Sequence, residues 1–140
     1  MKGAKRNIIL VDDNVQFRIN LKNYIESDLN CKVIAEASDG VEFLKLPNIV
    51  NADIILMDIA MQEMDGFEAT KLILWQNSYL KIIAITMHTE KIFLVQLIET
   101  GFKGCVFKSN IFEQLPSALD VVSEGKLFIP DNITLDNKYY

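Results

Sequence analysis

The chain has 140 residues, half of them hydrophobic, which is the length of one domain with enough apolar material for one compact core. A net charge of −5, a pI near 4.8 and no local run of Lys or Arg exclude a nucleic-acid grip by this chain alone, because phosphates demand a basic patch. No apolar stretch reaches the roughly 18 residues of a membrane span, and the basic start Met1–Arg6 has no apolar h-region or cleavage site after it, so no membrane association and a cytoplasmic location are expected.

Ile8–Val11 is an apolar run, too short and too continuous for a helix, and reads as a strand buried on both faces. It closes on Asp12 and Asp13. Asn14 is placed to cap a helix whose Phe17, Leu21, Tyr24, Ile25 and Leu29 recur at spacings of three and four. Val33–Ala37 is a second strand, and Asp39-Gly40 opens a short helix stopped before Pro47. Ile54–Met57 is the third strand and ends at Asp58; Asp65-Gly66 then opens a helix carrying Phe67, Leu72, Ile73 and Leu74. Ile82–Ile85 leads to Thr86, and Thr89-Glu90 starts a fourth helix that Gly101 ends. Cys105–Phe107 leads to Lys108, and Ile111, Leu115, Leu119 and Val122 mark a fifth helix closed by Gly125. Residues 126–140 fall outside this pattern and read as a linker or tail.

Five strand–helix units with short connections require right-handed crossovers and a doubly wound five-stranded parallel sheet, expected in the order 2-1-3-4-5. The switch point of that order lies between strands 1 and 3, so Asp12, Asp13 and Asp58 converge on one crevice. Cys31 and Cys105 fall on the two outer strands, about 19 Å apart at roughly 4.8 Å per strand, which rules out a disulfide between them. Both read as small buried hydrophobes.

Three neighbouring carboxylates raise one another's pKa unless a cation is present. Oxygen-only ligands with room for water suit Mg²⁺, and the absence of an accompanying His or Cys disfavours zinc. Asp58 is the acid best placed to attack phosphorus and form an acyl phosphate. Lys108 can then pair with one phosphoryl oxygen and Thr86 can donate a hydrogen bond to another. Taken singly, these residues are an ordinary turn acid, strand threonine and surface lysine. Together they end four strands on the same sheet edge.

Asp12-Asp13, Asp58, Thr86 and Lys108, with the loop Met61-Gln62-Glu63-Met64-Asp65-Gly66, resemble the receiver domain of two-component response regulators over residues 7–125. The resemblance implies the flavodoxin-like receiver fold and a signalling switch rather than an enzyme. It implies Asp58 as phosphoacceptor, Asp12, Asp13, Asp58 and the Ala60 carbonyl as the Mg²⁺ site, Thr86 as switch hydroxyl, Lys108 as phosphate partner and a histidine kinase as donor. The chain departs from the family at Cys105, where receivers place an aromatic, with Phe107 expected on the opposite face, and at Gln62, where a proline is common. Ala60 and His88 resemble the positions that set dephosphorylation rate, and an intermediate lifetime is expected. The stretch Leu119–Ile129 resembles the junction to a LuxR-type helix-turn-helix output domain, so the chain is expected to be a fragment of a transcription regulator, with DNA reached only through a domain outside it; the alternative is a stand-alone receiver whose tail packs on itself.

Ile92–Ile98 is apolar nearly all round, and Phe93 and Leu97 are accordingly expected in a dimer or partner interface on helix 4. Cys105 and this apolar helix also suggest an alternative, an interaction module that works without phosphorylation. A haloacid-dehalogenase-like phosphatase would need a second acid two residues after its nucleophile, where this chain has Ala60.

Overall fold

The computed structural model describes residues 4–130, 133, 135 and 137–139. Five parallel strands, β1 (Arg6–Val11), β2 (Cys31–Ala37), β3 (Ile54–Asp58), β4 (Ile82–Thr86) and β5 (Gly104–Phe107), form one sheet in the order β2-β1-β3-β4-β5. Between and after them lie α1 (Val15–Asp28), α2 (Gly40–Leu44), α3 (Gly66–Gln76), α4 (Lys91–Thr100) and α5 (Ile111–Ser123). The expected fold and strand order are those observed.

Side chains alternate across the strands and divide the core in two. Ile8, Leu10, Ile54, Leu56, Ile83, Ile85 and Val106 pack with Leu21 and Ile25 of α1 and Leu115 and Leu119 of α5. Ile9, Val11, Ile55, Met57, Ala84, Cys105 and Phe107 pack with Phe43 of α2, Ile73 of α3 and Leu94 and Leu97 of α4. Burial on both faces explains why β3 and β4 read as continuous apolar runs.

Helix ends follow local chemistry. The side chains of Asn14, Asp39 and Asp65 accept hydrogen bonds from the N–H groups of Phe17, Glu42 and Glu68, satisfying donors that open each helix. Gly101 ends α4 in the left-handed region at φ +117°. Within α5, Pro116 has no N–H to offer the carbonyl of Phe112 four residues earlier. The Tyr24 hydroxyl of α1 donates to that carbonyl at 2.8 Å, and its ring stands edge-on to Phe112 at 4.9 Å.

Two expectations are corrected. Leu97 is 0 % exposed and faces the core, so it cannot meet a partner directly; the exposed apolar side chain of α4 is Ile92, at 74 %. Phe107 shares the face of Cys105, because residues two apart in a strand point the same way. After α5, Phe128 bridges to Gly104 in parallel, beside the edge strand β5. Cys31 and Cys105 are buried and unpaired, as their placement on the outer strands requires.

Candidate functional site

At the C-terminal ends of the strands, β1 delivers Asp12 and Asp13, β3 delivers Asp58, β4 delivers Thr86, and Lys108 directly follows β5. Carboxylate oxygens of Asp12, Asp13 and Asp58 all lie within 4.8 Å of one another. Asp12 and Asp58 are 2 % and 5 % exposed, whereas Asp13 faces solvent. The Lys108 ammonium stands 3.1 Å from Asp12 Oδ2 and 4.0 Å from Asp58 Oδ2, and 4.3 Å above the ring of Phe17.

Each acid is held from behind. Asp12 Oδ1 accepts the Asn14 N–H at 2.8 Å, and the Asp12 carbonyl accepts from the Arg18 guanidinium, which itself pairs with Glu36 at 3.0 Å. Asp58 ends β3, where its carbonyl would lie 2.3 Å from any Cβ at position 66, so only glycine fits there. The Gly66 N–H donates to Ile59 at 3.0 Å, Gly40 donates to Met64 at 3.0 Å, and Glu63 turns the loop at φ +60°. This loop fixes the floor beneath Asp58. Sequence patterning identified Asp65-Gly66 as a helix start, and the close approach to Asp58 is a second demand that only three-dimensional proximity reveals.

The electrostatics are unbalanced. Burial, then the neighbouring Asp12, push the Asp58 carboxyl from its ordinary 3.8 up to about 7, against the pull of Lys108 and a hydrogen bond from the Ala60 backbone. Asp12 Oδ2 is buried and, despite the nearby ammonium, receives no hydrogen bond of proper geometry. Three converging carboxylates facing a single ammonium leave negative charge that a hard divalent cation would balance, and the all-oxygen donor set fits Mg²⁺.

Thr86, 3 % exposed, accepts the His88 N–H on Oγ1 at 3.0 Å, which aims its own hydroxyl proton elsewhere. The His88 ring lies 4.6 Å from that of Phe93, which in turn meets Phe67 edge-on at 5.5 Å. His88 is exposed in the loop after β4 and pairs loosely with Glu90, 3.7 Å away. Asp13, Asp58, Thr86 and Lys108 open into a cleft of about 560 Å³ whose walls include Met61, Phe67, Met87 and Phe93. Phe17, Arg18 and Gly66 support the site and were not singled out for it; a helix-face residue and a capping glycine carry no sequence mark of such a role. Cys105 is 1 % exposed, and burial pushes its thiol up to about 12, which makes it an inert core group.

This fold with this crevice defines a receiver. The family model for the response regulator receiver domain matches residues 8–120, and the chain belongs to that family. The chain is 34 % identical to the transcriptional regulatory protein LiaR of Bacillus subtilis across 85 % of its length and 56 % of the relative's. It is 32 % identical to the response regulator UvrY of Escherichia coli, covering 91 % of the chain and 58 % of that protein. The chain thus spans little more than half the length of these curated relatives. Among solved structures, a LuxR-family two-component response regulator from Aurantimonas superposes with a TM-score of 0.85 at 30 % identity, covering 92 % of both chains. The isolated receiver domain of RcsB from Salmonella enterica, determined with the phosphomimetic BeF₃⁻, superposes at 0.79 with 25 % identity over 91 % of this chain and 94 % of that one. No helix among the described residues is long and apolar enough to cross a membrane.

Proposed function

We propose that Asp58 accepts a phosphoryl group from a histidine kinase or a small phosphodonor, and that the acyl phosphate shifts the domain between two conformations that control an output. The observation that carries this reading is the nearly buried Asp58 carboxylate, set among two further acids with the Lys108 ammonium 4.0 Å away. A single metal-binding carboxylate cluster does not call for that lysine; a transferred phosphoryl group does.

In the proposed step, an Asp58 oxygen attacks phosphorus, a P–O bond forms, and the phosphohistidine P–N bond breaks with its electron pair leaving on the imidazole. Asp12, Asp13, Asp58 and the Ala60 carbonyl would hold Mg²⁺, which when bound neutralises charge on the phosphoryl oxygens and returns Asp58 to its ionised state. Lys108 lets go of Asp12 and pairs with a phosphoryl oxygen. Thr86 donates its hydroxyl proton to another while still accepting from His88. Ala60 and His88 flank the path by which water reaches the phosphorus and set the lifetime of the product.

The domain spans residues 7–125 and serves as the input half of a longer regulator of transcription, with DNA reached only through an output domain. The relatives support this: LiaR is by name a transcriptional regulator, and RcsB dimers have been determined bound to DNA. A homodimer would use the exposed Ile92 and Met87 beside Phe93. Burial of the small Cys105 where the family has an aromatic favours one second reading, a partner-binding module that ignores phosphorylation; Asp58→Ala would then leave partner binding unchanged.

Intact-mass measurement after incubation with acetyl phosphate and Mg²⁺ tests the main reading. One phosphoryl adduct is expected, lost with EDTA and lost in Asp58→Asn. No adduct under any condition would overturn it.

A further inference from the structure

After α5 the chain turns at Gly125, φ +84°, and comes back to the sheet. The Phe128 N–H donates to the Lys103 carbonyl at 3.0 Å and the Phe128 carbonyl accepts the Cys105 N–H at 3.2 Å, so the segment is bonded by its main chain to the edge of β5. Gly104 permits this approach: a Cβ there would sit 3.1 Å from that of Phe128. Beyond a turn in which Ile133 N–H donates to Pro130 at 3.1 Å, Leu135 is buried in the same cluster as Leu94, Leu97 and Cys105. Tyr139 packs on that cluster and its hydroxyl donates to Glu99 of α4 at 3.3 Å. One segment is therefore tied to β5 at one end and to α4 at the other.

Those two elements border the acidic crevice. Lys108 directly follows β5, and Phe93, in the first turn of α4, touches His88, which is bonded to Thr86. A ligand on Asp58 that draws in Lys108 and Thr86 pulls on the end of β5 and the start of α4. The contacts of the segment belong to the arrangement in which Lys108 is still paired with Asp12.

We propose that the segment after α5, through Phe128, Leu135 and Tyr139, acts as a clamp across the α4–β5 joint, stabilising the unloaded state and weakening binding of a phosphoryl group at Asp58. The proposal rests on the phosphoryl reading above. Coupling of this kind is reciprocal, so a ligand held less tightly because of the clamp must loosen the clamp by the same factor.

The test is titration of the whole chain with beryllofluoride and Mg²⁺ by calorimetry, for wild type, Tyr139→Phe and Leu135→Ala. Tyr139→Phe removes one exposed hydrogen bond and should tighten binding about two- to threefold; Leu135→Ala, which empties a buried site, should tighten it about tenfold. Amide exchange at Phe128 and Cys105 should speed up when wild type is loaded. If wild type binds but both variants bind equally well or more weakly, the clamp is overturned and the phosphoryl reading stands. Tyr139→Phe alone decides the matter if Leu135→Ala fails to fold. Absence of binding in wild type would sink the phosphoryl reading and the clamp with it.

Discussion

The two ends of the sheet hold cavities of similar size and opposite temper. At the N-terminal end, a cavity of about 490 Å³ is lined by Lys5, Arg6, Asp53, Tyr79 and Lys81. Three of its four charged side chains have partners: Arg6 pairs with Asp120 at 2.8 Å, Asp53 accepts the Asn7 N–H at 2.7 Å, and Lys81 donates to the Ser123 carbonyl at 3.1 Å. At the C-terminal end, beside a cleft of about 560 Å³, three carboxylates face one ammonium and the Asp58 carboxyl is pushed up to about 7. A concave surface lined with charge is thus no sign of function in itself. What marks the upper cleft is negative charge that the fold alone leaves unbalanced.

The severest blow to the upper end would be Gly66→Ala. Its Cβ would fall 2.3 Å from the Asp58 carbonyl, so the loop must move; a loss of about 3 kcal/mol is expected in chemical denaturation, with phosphorylation impaired. Next comes a test of sign. The Asp58 carboxyl, raised from 3.8 to about 7, is protonated in both states below about pH 4 and costs nothing there. As pH climbs from about 4 to 7 the unfolded chain ionises first, stability falls, and above 7 the penalty is constant, at most about 4 kcal/mol. In metal-free buffer Asp58→Asn should therefore melt above wild type at pH 8 and alongside it at pH 4. A wild-type stability that rises between pH 4 and 7 in step with the variant would refute this. Asp53→Asn, the same change at the lower end, should act oppositely and destabilise by about 1 kcal/mol, since its carboxylate serves the Asn7 N–H. Smallest of all, Arg6→Ala removes a pair whose side chains are 34 % and 68 % exposed; less than about 1 kcal/mol is expected, vanishing in high salt.

The order of elements, the sheet and the convergence of Asp12, Asp13, Asp58, Thr86 and Lys108 were legible because each strand is buried on both faces and each polar residue ends one. Period and position carry that information without any long-range knowledge. What was illegible depends on contacts between distant segments. The run in α4 is apolar nearly all round, so spacing did not show which side is buried; Leu94 and Leu97 face the core, and Leu135 after α5 joins the same cluster. The stretch after α5 contains no periodic pattern, so the contacts of Phe128 with β5 and of Leu135 and Tyr139 with the cluster under α4 left no trace in the spacing of apolar residues. Gly66 was readable as a helix start and unreadable as the only residue that fits behind Asp58.

Pro116 has a consequence for motion. By freeing the Phe112 carbonyl, it gives Tyr24 an acceptor on α5 and stitches α1 to α5 across the back of the sheet. The opposite face has its corresponding tie in an exposed hydrogen bond from Tyr139 to Glu99. Both ties are exposed hydrogen bonds, so each side of the sheet keeps one polar stitch that can open without disturbing the apolar core beneath it.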